Sequence, residues 1–412
     1  MRPSTFFIKS LPWGRRALAL AAAAALSGCQ WMYMNDRQSV MKVEGPVAQT
    51  QLDLFYVTCW VTLVIFIVVG SVLAYTIIKF RARSEADEHA EPPEQGHGNP
   101  FIEVGLIGAS VLALAIIAFP TFKAIGFTYD VPEAEKAGAL KVVATGYQWW
   151  FKFEYPGEQI AGAGNLTTGN ELVIPAGRAV HIDLRSVDVM HSFWIPKLAG
   201  KVDMIPNRAN LLWLKADHPG YYLGQCAEFC GESHAVMRFR VIALAPEDYA
   251  KWVTQQKLPA REVAVAAVAA PKAQFASLRT FKQNEIGFSA DDPLESVEGW
   301  RANQFPDKDE DAALIAQGKA LFQAKTCIVC HTIRGLPSAV GVRGPELTHV
   351  GARTTIAAGL LENNAEQLQR WIHNPSLVKP GNKMWVEGYL VNHITLSSDE
   401  EVALVAFLRS LK

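Results

Sequence analysis

The stretch Cys226-Ala227-Glu228-Phe229-Cys230-Gly231-Glu232-Ser233-His234-Ala235-Val236-Met237 decides how the middle of this chain is read. It places two thiols, an imidazole and a thioether within twelve residues, and a second imidazole, His191, stands 35 residues earlier in Met190-His191-Ser192-Phe193-Trp194. Sulfur and imidazole donors form the soft set that suits copper. A mononuclear blue-copper site needs one Cys, two His and a Met. The second cysteine, four residues on, allows both sulfurs to bridge two copper ions. Each copper then takes one histidine plus one weak ligand, Met237 or a carbonyl of the loop. A disulfide or a structural zinc site could use the same cysteines. Neither gives Met237 a role, and zinc loops usually separate their cysteines by a shorter spacer, so the set reads as copper.

Outward from this loop, residues 140–245 read as short strands divided by turns. Val180-His181-Ile182-Asp183-Leu184-Arg185 alternates at period two, and residues 236–244 form another strand-like run. Pro175-Ala176-Gly177 and Asp217-His218-Pro219-Gly220 are turn signals. Several short strands in such a span predict a β-sandwich or Greek-key barrel.

Upstream, the apolar residues are gathered into blocks. The chain has 412 residues, half of them hydrophobic and 19% charged, which argues against disorder. Its 39 basic and 40 acidic side chains leave a formal charge of −1, so no global field points to nucleic acid. Lys9, Arg15 and Arg16 precede a short apolar run, Ala17 to Leu26, shaped like a secretory signal and ending Leu26-Ser27-Gly28-Cys29. That ending resembles a bacterial lipoprotein signal, with Cys29 as the lipidated residue once 1–28 is removed. Leu54 to Ile78 carries no charge and meets Lys79, Arg81 and Arg83; Val104 to Phe122 is similar. Spanning helices are predicted over about 54–80 and 101–122, within a segment 29–130. The flanking basic residues put the connecting loop in the cytoplasm, so both long ends lie outside the inner membrane. Glu103 marks one end of the second span, where an ionisable group is often functional.

Downstream of a β-rich region assigned to 131–250, residues 251–310 read as a linker containing a low-complexity Ala/Val run. Then comes Cys327-Ile328-Val329-Cys330-His331, the C-x-x-C-H signature of covalent haem attachment: the thiols add to the haem vinyls and His331 reaches the iron. Helical patterns at Asp311 to Ala324 and Asp399 to Leu411 flank it. Met384, after Lys379-Pro380-Gly381-Asn382-Lys383, is the only methionine beyond Met237 and supplies the sixth ligand. His/Met ligation suits electron transfer. His349, His373 and His393 are rival ligands without that Pro-Gly turn.

Residues 36–245 resemble subunit II of the cytochrome c oxidases of the haem-copper superfamily, and 311–412 resemble class I cytochrome c. The resemblance implies a multidomain chain: a two-helix transmembrane hairpin, an all-β cupredoxin-like domain and a C-terminal all-α cytochrome c domain. It implies that His191, Cys226, Cys230, His234 and Met237 carry dinuclear copper A through side chains. Glu228 would add its main-chain oxygen, and its carboxylate would reach a magnesium shared with subunit I. Gly146-Tyr147-Gln148-Trp149-Trp150 resembles the family's aromatic stretch, which makes Trp149 the electron acceptor. Glu103 matches a glutamate at a proton pathway, although Leu106 stands where the family often has tryptophan. Trp385 likewise follows Met384 where cytochromes usually have proline.

The implied function is the electron-receiving subunit of a caa-type terminal oxidase. An external cytochrome c or similar donor would feed one covalent haem, then two coppers, then haem a of subunit I, where oxygen is reduced with proton pumping. Subunits I and III and the bilayer are the implied partners. The copper subunit of a nitric oxide reductase, or an anchored carrier with no large partner, would share some of these motifs. The two spanning helices and Glu103 favour packing against other membrane helices. Five of six cysteines are thereby assigned, and Cys59 falls inside the first span as a small apolar residue.

Overall fold

The computed structural model describes residues 37–84, 87, 91, 96–263 and 296–412. The signal segment and Cys29 lie outside them. Two long helices come first, α1 (Pro46–Phe80) and α2 (Pro100–Tyr129). Large apolar side chains such as Phe66 and Phe119 point outward, 72% and 80% exposed, with no described residue over them. A surface of that kind is stable only in lipid.

Both helices run past the apolar blocks that predict them, because their outer ends are pinned to the next domain. Val47, Ala48 and Leu52 of α1 are buried there, and Ala48 N donates to Leu198 O at 3.2 Å. At the far end of α2, the Trp213 indole donates to Phe127 O at 2.9 Å. The helices therefore enter the membrane as rigid extensions of the folded part.

That part is a sandwich of two five-stranded sheets. Strands β1 (Leu140–Tyr147), β2 (Trp150–Ile160), β3 (Gly164–Gly169), β5 (Val180–Ser186) and β8 (Asn210–Leu214) form one sheet in the order β3-β2-β1-β5-β8. Strands β4 (Glu171–Pro175), β6 (His191–Trp194), β7 (Val202–Met204), β9 (Gly220–Cys226) and β10 (Arg238–Leu244) form the other, β4-β10-β9-β6-β7. Each sheet contains one parallel pair, β1 with β5 and β4 with β10, so the chain crosses between sheets instead of meandering. The alternating residues of β2 explain the packing: Phe151, Phe153 and Tyr155 are fully buried. Phe193 and Phe239 from the opposite sheet close on them, stacked on each other at 4.6 Å. This aromatic core holds β6 and β9 in register, and those are the strands that carry His191 and Cys226.

The predicted linker is helical at its described ends, α3 (Pro246–Gln256) and α4 (Val297–Ala302). Both pack onto the sandwich: Trp252 lies 5.5 Å from the Tyr155 ring and Trp300 is buried. Apolar residues that look unpatterned in sequence thus seal one side of the fold.

The C-terminal domain is built on α5 (Ala312–Ala324), α6 (Ala365–His373) and α7 (Ser398–Ser410). Asp311 caps α5 by accepting from Ala313 N and Leu314 N, and Ser397 with Glu400 forms a capping box on α7. Helices α5 and α7 cross tightly at Gly318, where a Cβ would stand 1.9 Å from Ala403 O.

Candidate metal centres

Strand β9 ends at Cys226, and the loop to β10 folds back so that Cys226 N donates to Met237 O at 2.9 Å. The fold-back gathers the donors. Cys226 Sγ stands 3.7 Å from Cys230 Sγ, 3.9 Å from His191 Nδ1 and 3.3 Å from Glu228 O. Cys230 Sγ stands 3.6 Å from His234 Nδ1 and 3.8 Å from Met237 Sδ. Both thiols are free. All six groups predicted around copper therefore meet at one place, with His191 and Met237 fully buried.

The surroundings prepare these groups for a soft cation. His191 Nε2 lies 2.9 Å from Asp188 Oδ1, which turns Nδ1 toward the sulfurs. Burial would raise Asp188, but hydrogen bonds from His191, Gln148 N and Val189 N hold it down at about 2. A hydrogen bond from Cys230 lowers Cys226, with burial opposing and His191 assisting, while Cys230 is raised by its thiolate neighbour. The pair thus sheds its first proton easily, and thiolate is the form that binds metal. Gly146 lets β1 pass the imidazole closely, since a Cβ there would meet His191 Cδ2 at 2.7 Å. Asp188 and Gly146 were not singled out in sequence; an acid three residues before His191 was the available signal for the first.

A second site opens in the C-terminal domain. A cavity of about 470 Å³ is lined by Cys327, Cys330, His331 and Met384. His331 Nδ1 lies 2.8 Å from Pro345 O, leaving Nε2 toward the cavity. Burial lowers the imidazole's pKa, with the Pro345 bond opposing, so it stays neutral and able to ligate iron. Gly344 passes over the ring, for a Cβ there would lie 2.4 Å from His331 Cε1. Met384 opens a short π-helical segment, Met384–Tyr389. A roomy, largely apolar cavity with two thiols, a neutral imidazole and a thioether suits a covalently held haem. Two of the rival histidines are engaged elsewhere: His349 through both nitrogens with Lys412 O and Leu258 O, and His373 with Glu401 at 2.8 Å. His393 occupies a left-handed turn at φ 50°.

The two sites share a wall. Tyr147, Gln148, Trp149 and Trp150 line the haem-sized cavity as well. Trp149 is 8% exposed and its indole N–H donates to Cys230 O at 2.9 Å. Glu103 stands apart, in the first turn of α2, and Glu228 keeps a half-buried side chain on the copper loop.

Residues 140–244 match the family described as cytochrome c oxidase subunit II, periplasmic domain, and residues 315–412 match cytochrome c. Over 391 residues, 94% of each chain, the sequence is 32% identical to cytochrome c oxidase subunit 2 of Alkalihalophilus pseudofirmus. The chain belongs to the cytochrome c oxidase subunit II family. It is 28% identical over 413 residues to cytochrome c oxidase subunit 2 of Bacillus subtilis, covering 97% of this chain and 98% of that one. Against quinol oxidase subunit 2 of Bacillus anthracis it is 34% identical over 245 residues, 59% of this chain and 80% of that one. As an oxidase subunit II it is part of a haem-copper oxidoreductase with subunit I as partner. The family implies copper A in the sandwich domain and haem in the C-terminal domain. The two apolar helices anchor this subunit II in a membrane, with the sandwich as its periplasmic domain.

Proposed function

We propose that this subunit II receives electrons from an outside donor and relays them to subunit I. The observation that carries the reading is the shared wall: Trp149 lines the cavity of Cys327, Cys330, His331 and Met384 and donates to the main chain of Cys230. When bound, the haem and the copper pair would each supply one-electron redox chemistry, on the way to haem a of subunit I, where oxygen would become water with protons pumped.

The chain's own residues do the holding and orienting. Cys327 and Cys330 would tether the haem, and His331, fixed by Pro345, and Met384 would hold its iron. Cys226 and Cys230, with His191, His234, Met237 and the Glu228 carbonyl, would hold the copper pair. Asp188 keeps His191 in the tautomer that offers Nδ1. The Glu228 carboxylate is assigned to a magnesium at the subunit I junction, and Glu103 to proton uptake. Subunit III and a soluble cytochrome c complete the expected partners, in a bacterial inner membrane that α1 and α2 both cross. A rigid fold around the copper pair limits the reorganisation that each electron transfer must drive.

The test is metal and haem quantitation with EPR on the full chain purified within its complex. About two coppers and one covalent haem per chain, with a mixed-valence multi-line copper signal that C230S abolishes, are expected. Zinc, or a single blue copper, would overturn the reading. Oxygen against nitric oxide consumption by the same complex then separates an oxidase from a nitric oxide reductase.

A further inference from the structure

We propose that Lys379 is a positioning residue, a latch that holds the Met384 segment against the copper site and closes that site to outside donors. This rests on the relay just proposed.

Lys379 is 3% exposed, an unusual place for a lysine. Its Nζ donates to Trp149 O at 2.5 Å and to Val236 O at 3.1 Å. These carbonyls belong to different parts of the copper site, the turn between β1 and β2 and the end of the copper loop. A second staple runs the other way: Ser233, next to His234, donates its hydroxyl to Pro380 O at 2.5 Å. Between the two, Gly381 lies flat on the site at φ +70°. A Cβ there would stand 2.4 Å from Glu232 Oε2 and 3.1 Å from Trp149 Cη2. The segment therefore covers the Trp149 ring, as its 8% exposure records.

What Lys379 anchors is transmitted to Met384. Buried Asn382 donates from Nδ2 to Lys379 O at 2.6 Å and accepts from Trp385 N at 2.9 Å. The latch and the iron-ligand position thus form one hydrogen-bonded unit. The domains also meet farther away, where Glu171 Oε1 accepts from Thr354 N at 2.8 Å and Arg238 N donates to Ala358 O at 3.0 Å. Those contacts hold the domains together. Among the described residues, Lys379 and Ser233 tie the Met384 segment to the copper loop itself, and Lys383 adds an ion pair at 3.5 Å with Asp188, the partner of His191.

The consequence is specific to electron traffic. With both groups loaded, one electron would leave ferrous haem, which becomes ferric, and would reduce the mixed-valence copper pair to two cuprous ions; no proton or bond would change hands. With Trp149 covered, a soluble reduced haem protein delivers its electron to this chain's haem and not directly to copper.

The test uses the purified complex, mixed rapidly with reduced soluble cytochrome c while haem and copper absorbance are followed separately. In the unaltered complex haem reduction precedes copper reduction. K379M removes the donors at nearly constant volume and should slow haem-to-copper transfer by about 10-fold or more, since small displacements of a reacting pair are costly in rate. The haem spectrum and copper EPR should be unchanged, and K379R should restore much of the rate. Should K379M not assemble, S233A carries the same expectation through the second staple. An unchanged transfer rate in an assembled variant, with both sites loaded, overturns the latch alone. Missing haem or a missing mixed-valence signal in the unaltered complex overturns the relay beneath it.

Discussion

The indole of Trp149 and the side-chain amide of Gln148 both donate to one acceptor, the main-chain oxygen of Cys230, each at 2.9 Å. The aromatic turn and the copper loop are therefore one unit, although about eighty residues of chain separate them. W149F keeps most of the ring and removes the donor. Copper EPR should change little because Gln148 still holds Cys230 O, while delivery of an electron to copper slows by on the order of 10-fold. Flash-induced reduction of the haem, followed at the copper band, measures it.

Met384 lines the haem-sized cavity together with His331. M384L conserves volume, so stability should shift by less than about 1.5 kcal/mol. Loss of the thioether should lower the haem potential by on the order of 0.1 V. A redox titration beside a thermal melt separates the two effects; an unmoved potential would remove Met384 from the iron.

Glu171 is buried where the two domains meet, and burial raises its carboxyl above the ordinary value of 4.5 against the pull of Arg353 and Thr354. A carboxyl that titrates higher in the fold than in the unfolded chain binds its proton more tightly when folded. Its contribution is fully present below 4.5 and is lost as the pH rises through the folded value. E171Q keeps an oxygen to accept from Thr354 and discards the charge. It should melt higher than the unaltered chain near neutral pH, with the gain vanishing in acid.

Helices α5 and α7 touch at Gly318, where a Cβ would press on Ala403 O at 1.9 Å and Phe407 Cβ at 2.7 Å. G318A should therefore cost about 1–3 kcal/mol by overpacking, despite alanine's better helix propensity. A lower midpoint in urea for the haem band, with the copper signal intact below it, is the expected result.

Much of this protein was legible in one dimension because most of its cofactor ligands, all but His191 and Met384, are local. Cys226 to Met237 lie in one loop, and Cys327 to His331 in one turn, so ligand chemistry and spacing expose both sites without any fold. The spans were equally plain, since a bilayer demands long uncharged runs. Period-two alternation in β5 and the helical patterns of α5 and α7 came from the same short-range rules.

Tertiary structure decided everything that joins those pieces. Asp188 as the partner of His191, Pro345 as the support of His331, and the helices at the linker's described ends depend on which surfaces close over which. Lys379 looks like one more solvated cation beside a Pro-Gly turn, yet it meets Trp149 across 230 residues of chain. Local propensity and ligand spacing act over a few residues. A buried lysine amine between two carbonyls exists only once two domains have docked, so its place was settled by packing.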